Sequence, residues 1–266
     1  VDLNGRWELR RDPENVGKDS GWHEGEGDFR HRMTVPGAPQ AQGIGEPHHY
    51  QKTYFKDPFW IRRRFDLQEL DTDQRVWLRI GGILPSAEIY LNGQFVGYTK
   101  SSRTQQRVDV TPYLKPGTSN LIAIKVCDFP EVRLDGLLEW NEGTQLWTGP
   151  YRPIRLEIAH RISILDGYIQ PKLDASVAQV EVELTEPFEK PLRLQLQVKD
   201  GDRILGESIE SIDVGIKTAS STLRIKDFVP WSPNSPKLYT LEMSLHSEVN
   251  NEPLDRSGLQ FGMRQI

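Results

Sequence analysis

The sequence predicts an all-β protein built as two β-sandwiches in series. Three observations carry that prediction. Apolar and polar residues alternate with period two in segment after segment, as at Val76, Leu78 and Ile80 and again at Leu192, Leu194, Leu196 and Val198, while helical periodicity is weak throughout. Strand-like runs recur at roughly 8–12-residue spacing between turn signals, the interval of a sandwich or barrel. Past His160 the aromatic residues thin out and the strands become plainer, which marks a second domain. The expected domains are residues 1–159 and 160–266, and 266 residues suffice for two domains of ordinary size.

In the first domain a short strand is expected over Arg6 to Arg10, with Trp7 and Leu9 on one face. Residues 11–28 are rich in Gly, Asp and Glu and read as loop, with Trp22 their one large apolar group. Phe29 to Val35 is extended until Pro36-Gly37-Ala38-Pro39 stops it. Residues 37–58 form a long loop holding His48, His49, Tyr50, Gln51, Tyr54 and Phe55, and loops of this length are often functional. Phe59 to Leu67 sets Trp60, Arg62 and Arg64 against Ile61, Arg63 and Phe65, and Gln74 to Ile80 alternates again. Ile89 and Leu91 lead into Asn92-Gly93, a hairpin signal because both residues tolerate φ > 0. After Val108 and Val110, Thr111-Pro112-Tyr113-Leu114 is a turn, Pro116-Gly117 is another, and Asn120 to Val126 is a strand. A second irregular stretch runs from Cys127 to Tyr151, and Tyr151 to Ile158 returns to strand with Ile154, Leu156 and Ile158 on one face.

In the second domain Val180, Val182 and Leu184 alternate with polar residues, as do Leu192 to Val198. Asp200-Gly201 turns the chain back through Arg203 to Ile209. Leu223 and Ile225, then Tyr239 to Leu245, then about Leu254 to Arg264 complete the set. Roughly seven short strands in ~100 residues match an immunoglobulin-like sandwich without its disulfide.

Composition removes several classes of function. The net charge is −5, with both signs mixed along the chain, which argues against a nucleic-acid partner. Mean hydropathy is −0.57, and no apolar run approaches the ~20 residues of a membrane helix, so no membrane partner is expected. Cys127 is the only cysteine, which excludes an internal disulfide and a CxxC metal site. Cytoplasmic and periplasmic or extracellular locations both stay open. The chain starts at Val1 without an initiator Met, so a processed or trimmed chain is expected.

Ordered motifs then carry a family resemblance. They are LNGRWELR at 3–10, VPG at 35–37, FWIRRRF at 59–65, RVWLRIGGILPSAEIYLNGQFVGY at 75–98, VDVTPYLKPG at 108–117, NLIAIKV at 120–126 and GPYRPIRLE at 149–157. The second domain adds VPWSPNSPKLYTLEM at 229–243 and GLQFGMR at 258–264. The chain resembles the N-terminal half of glycoside hydrolase family 2, which includes β-galactosidases, β-glucuronidases and β-mannosidases. The resemblance implies a jelly-roll (galactose-binding-like) sandwich, then an immunoglobulin-like sandwich, then a TIM barrel carrying two catalytic glutamates. The sequence ends at Phe261-Gly-Met-Arg-Gln-Ile, where such enzymes pass into the barrel. Retaining hydrolysis needs two carboxylates about 5–5.5 Å apart, and the resemblance puts both in that barrel. No catalytic residue, metal or cofactor is therefore expected within residues 1–266.

The same resemblance supplies candidate substrate contacts. In β-galactosidases two jelly-roll loops present an Asn and an Asp to the sugar. Aligned on Thr53-Tyr54, Gln51 falls at the Asn; aligned on Trp147, Gln145 falls at the Asp. Both depart from the β-galactosidase pattern, which argues for a sugar other than galactose. The competing reading of each is an ordinary loop glutamine. Trp140 and Trp147 are candidates to stack on a pyranose face beside the polar Asn141 and Glu142. Pinning the loop to the sandwich is the alternative for both and the preferred one for Trp147. Glu139 and Glu142 form a carboxylate pair that the resemblance does not use for hydrolysis.

The remaining motifs have plainer readings. His48 and His49 are surface loop residues. Arg62, Arg63 and Arg64 split between two strand faces toward local carboxylates. Trp231 is structural, and so is Arg152, for which a salt bridge to the second domain is the alternative.

The leading function is a non-catalytic N-terminal region of an exo-β-glycosidase. It would contribute loops to the sugar pocket, with a β-glycoside carbohydrate and the C-terminal barrel of the same protein as partners. A free-standing carbohydrate-binding module without hydrolase activity is the alternative, and a spacer supporting a homo-oligomer is the third reading.

Overall fold

A computed structural model describes residues 1–45, 57–99, 103–127 and 148–264. The chain divides into two compact units, Val1–Ile158 and Ala159–Ile266. Among the described residues there is no α-helix, only two 3-10 turns, at Gln40–Gln42 and Thr111–Tyr113.

The first unit begins with β1 (Gly5–Arg11), β2 (His31–Val35), β3 (Phe59–Asp66), β4 (Gln74–Ile80) and β5 (Ile83–Leu84). It continues through β6 (Ser86–Leu91), β7 (Gln94–Tyr98), β8 (Gln106–Asp109), β9 (Ser119–Cys127), β10 (Gly149–Pro150) and β11 (Ile154–His160). A six-stranded antiparallel sheet has the order β2-β1-β3-β9-β6-β7. A three-stranded sheet, β11-β4-β8, and the short pair β10-β5 complete the unit. Between them lies a core built from the inward positions of the alternating segments, including Trp7, Leu9, Ile61, Leu78, Ile80, Ile89, Ile122, Ile124 and Leu156.

The Asn92-Gly93 hairpin forms as the sequence predicts, with φ of 51° and 84°. Asn92 also does more than turn the chain. Its Nδ2 donates to Tyr113 O and to Asn120 Oδ1, both at 2.8 Å, and its Oδ1 accepts from the Leu121 amide at 2.9 Å. Asn120 is fully buried, and its side chain also bonds the Lys115 amide and the carbonyls of Lys115 and Thr118. Two asparagines thereby satisfy the backbone of the 111–119 connection, where Pro112 and Pro116 cannot donate.

Around the start of β3 the six-stranded sheet is covered on both faces. Alternation puts Trp60 on the face of Arg62 and Arg64, and there it is fully buried with Trp22, Phe29, Tyr90 and Ala123. The 12–28 loop folds back over the sheet and supplies Trp22, so this strand has no bare face near its start. Three consecutive apolar residues, Phe59, Trp60 and Ile61, are the sequence mark of that double burial. In β11, Ile158 departs from the expected inward row and is 41% exposed.

Only part of the arginine expectation holds. Arg62 pairs with Glu8, Nε to Oε2 at 2.7 Å, but Arg63 donates to the backbone carbonyls of Leu3 and Asn4 instead of a carboxylate. Arg152 donates to the carbonyl of Arg103 at 2.8 Å, within its own unit.

The second unit holds β12 (Ile164–Lys172), β13 (Val177–Leu184), β14 (Leu192–Asp200), β15 (Arg203–Ile212), β16 (Thr218–Arg224), β17 (Tyr239–Ser247) and β18 (Pro253–Phe261). Two antiparallel sheets, β12-β13-β16 and β15-β14-β17-β18, enclose a second core around Val180, Val182, Leu194, Leu196, Leu241, Met243 and Leu245. Strand β12 has no counterpart among the segments read from the sequence. Its polar positions do not alternate cleanly, a bulge interrupts it between Ile164 and Asp166, and it contains Pro171. A proline is tolerated because β12 is an edge strand. In the Trp231–Pro236 segment, Ser232 and Ser235 exchange amide–carbonyl bonds at 3.0 Å, and the Trp231 amide donates to Met263 O at 2.8 Å. The Trp231 ring lies against Gly262 and under the Arg264 guanidinium, a structural role as expected.

Candidate functional site

Strand direction gathers several chain ends at one end of the first unit. Strand β3 begins there at Phe59, β9 ends there at Cys127, and β6 begins there at Ser86; Phe59 pairs with Val126 and Ser86 with Cys127. Asp57, which follows residues 46–56, and Cys127, which precedes residues 128–147, lie at this end. The described residues that flank the two segments are bonded to each other. Gly37 N donates to Pro150 O at 2.8 Å, and Gln40 Nε2 donates to Thr148 Oγ1 at 3.0 Å. Gly149 pairs with Leu84 and Pro150 with Ile83 in the short β10-β5 ladder. The bases of both segments are therefore tied to one another and to a sheet.

Behind this end a charged group sits on the outer face of the large sheet. Glu88 and Lys125 are cross-strand partners, and both are buried. Lys125 Nζ lies 3.9 Å from Glu88 Oε1, and the Tyr90 hydroxyl donates to Glu88 Oε2. Trp60 is the next residue in the same row, with Lys125 Nζ 5.9 Å from its ring centroid. The Trp60 indole N–H donates to Asp12 Oδ2 at 2.9 Å, and that carboxylate also caps the amides of Val16 and Gly17. Buried charges persist only when paired and hydrogen-bonded. This chain of contacts fixes the loop that covers the sheet just inside the segment bases. The signal in the sequence is the placement of Glu88 and Lys125 at outward positions of otherwise apolar strands.

All six substrate-contact candidates, Gln51, Trp140, Asn141, Glu142, Gln145 and Trp147, lie outside the described residues, as do His48, His49 and Glu139. Among the described residues no group of three or more His, Cys, Asp or Glu side chains could hold a metal ion. No described helix is long and apolar enough to cross a membrane.

Comparison with known proteins follows the same two-unit division. The family model described as "Glycosyl hydrolases family 2, sugar binding domain" matches residues 1–156, and "Glycosyl hydrolases family 2" matches residues 161–264. The chain belongs to glycoside hydrolase family 2. A β-galactosidase of Thermoanaerobacter pseudethanolicus is 28% identical over 230 residues, covering 83% of this chain and 30% of the relative. A β-galactosidase of Streptococcus thermophilus is 24% identical over 289 residues, covering 99% of this chain and 27% of the relative. The chain thus spans under a third of these family 2 relatives. Among solved structures, a Bacteroides uniformis β-glucuronidase superimposes with a TM-score of 0.79 at 19% identity, over 98% of this chain and 32% of that one. A Ruminococcus gnavus β-glucuronidase gives 0.75 at 22% identity, over 98% and 43%. These likenesses establish the family 2 sandwich fold.

Proposed function

We propose that this chain is the non-catalytic N-terminal region of a family 2 exo-β-glycosidase. Its first sandwich would present segments 46–56 and 128–147 to the sugar, and both sandwiches would support a catalytic barrel carried by the same protein. The observation that carries this reading is the pair of family models matched in order, over 1–156 and 161–264, with relatives matched over 30% or less of their own length. The bonds Gly37–Pro150 and Gln40–Thr148 support the mechanical part: they tie the chain ahead of the first segment to the chain behind the second. In the proposed pocket Gln51 and Gln145 hydrogen-bond sugar hydroxyls, and Trp140 stacks on the ring.

Two measurements test it. The chain alone should show no hydrolysis of aryl-β-galactoside or aryl-β-glucuronide; turnover that survives purification and is abolished by Glu142→Gln would overturn the reading. In the complete enzyme, Gln51→Ala or Gln145→Ala should lower kcat/KM by about 2- to 13-fold, the worth of one hydrogen bond at about 0.5–1.5 kcal/mol. Unchanged kcat/KM in both variants would remove these glutamines from the pocket.

A further inference from the structure

The outer face of the six-stranded sheet carries a second feature, away from the segment bases. An open groove of about 570 Å³ is lined by Arg6, Glu8, Arg32, Arg62, Arg63 and Arg64. On this face four guanidinium groups, those of Arg6, Arg32, Arg62 and Arg64, meet a single carboxylate, Glu8, on a chain whose net charge is −5.

Strand pairing makes the arrangement ordered. In one row Arg32, Glu8 and Arg62 are cross-strand neighbours, and Glu8 is shared between the two arginines at 2.9 and 2.7 Å. In the next row Arg6 pairs with Thr34, and Arg64 pairs with Leu121. The β1–β3 register, carried two residues past Glu8 and Arg62, sets Arg6 opposite Arg64.

Arg6 and Arg64 are both exposed, and among the described residues neither has a hydrogen bond or ion pair. Like charges directly opposite one another on a sheet destabilise it, so this pair costs stability that no described carboxylate returns. Arg62 is held by Glu8 at 2.7 Å and lies 3.8 Å over the Phe29 ring, so the floor is preorganised.

We propose that this groove binds an anionic oligosaccharide, its carboxylate or sulfate groups taken by the free guanidinium forks of Arg6 and Arg64. Guanidinium pairs such anions bidentately. The arginine stems and Leu121 offer C–H surface to sugar rings. The groove has the volume of a small-ligand site, whereas a folded partner needs about 800 Å² on each side. Arg6 stands five residues along β1 from Arg11, which pairs with Phe59 at the segment-base end. At strand rise that sets the groove about 17 Å along β1 from the segment-base end.

Calorimetry on the chain tests this with four probes: an oligogalacturonate, a heparin-derived oligosaccharide, a neutral glucan oligosaccharide and an oligoglutamate peptide of matched charge. At least one acidic oligosaccharide should bind, the two acidic arms telling carboxylate from sulfate, and the neutral one should not. Affinity should fall with added salt. Arg6→Gln/Arg64→Gln should weaken binding at least 10-fold while leaving Tm unchanged or raised. Arg6→Lys/Arg64→Lys, which keeps charge and loses the fork, should weaken it by a smaller factor. Equal affinity in wild type and the Gln double variant, equal binding of neutral and acidic saccharides, or tighter binding of oligoglutamate would each overturn the proposal.

Discussion

Asp12 stands in a glycine- and acid-rich loop, yet it is almost wholly buried and accepts three hydrogen bonds, from the Trp60 indole and the amides of Val16 and Gly17. Asp12→Ala would leave buried donors without acceptors, at about 1–3 kcal/mol each before relaxation. We expect a loss of about 2–4 kcal/mol in urea unfolding followed by tryptophan fluorescence. An Asp12→Ala midpoint equal to wild type would show the loop to be held elsewhere. Glu157 gives a pH-dependent counterpart. Burial pushes its carboxyl upward, but hydrogen bonds and charge from Arg79 and Arg155, at 2.7 and 2.9 Å, outweigh it and hold the group below its ordinary value. Its folded pKa is lowered, so its stabilisation is present above the ordinary carboxyl pKa and is lost as pH falls through the folded value. Glu157→Gln should cost about 0.5–1 kcal/mol at pH 7, and the difference from wild type should shrink below about pH 4. A gap that stays constant down to pH 3 would assign the effect to packing. The Asp12–Trp60 and Arg79–Glu157 pairings could not be read from the sequence, because their members stand 48 and 78 positions apart.

At the level of elements, legibility followed locality. Strands β4, β13, β14 and β17 show clean alternation, and each buries one face against its unit's core. The hairpin at Asn92-Gly93 is written in two residues. Strand β12 is not legible, because an edge strand with a bulge and Pro171 has no pattern to keep. The close approach of β15 to β16 is equally invisible. A Cβ added at Gly206 would stand 2.3 Å from the Arg224 carbonyl oxygen and 3.2 Å from its carbon. Gly206→Ala should therefore force the two sheet edges apart and cost about 1–3 kcal/mol by chemical denaturation. Gln195→Ala, on the solvent side of β14, should stay within about 0.5 kcal/mol of wild type. Equal effects from the two would mean the strands part without strain.

Over the whole chain the all-β class was legible because it rests on many independent alternations and turns. The candidate pocket was legible only through family resemblance, since its residues occupy long irregular segments with no periodicity to read. The arginine groove is not legible in the sequence, because the strand pairing that sets Arg6 opposite Arg64 is not. Only the register separates Arg63, bound to backbone, from the free Arg64. We propose the domain division at 159/160, because each unit encloses its own core. Residues 160–266 expressed alone should then melt in one cooperative transition by circular dichroism. A featureless melt without native-like dispersion in NMR spectra would show that the second sandwich depends on the first.

The ties at Gly37–Pro150 and Gln40–Thr148 have a consequence for change over time and by design. Each joins the chain ahead of residues 46–56 to the chain behind residues 128–147, so the scaffold keeps these fixed points when either segment changes in length. Doubling such a segment adds only about 0.6 kcal/mol of closure entropy. Transplanting segments 46–56 and 128–147 together between relatives, cut inside those ties, should move sugar preference while leaving the scaffold's melting temperature nearly where it was.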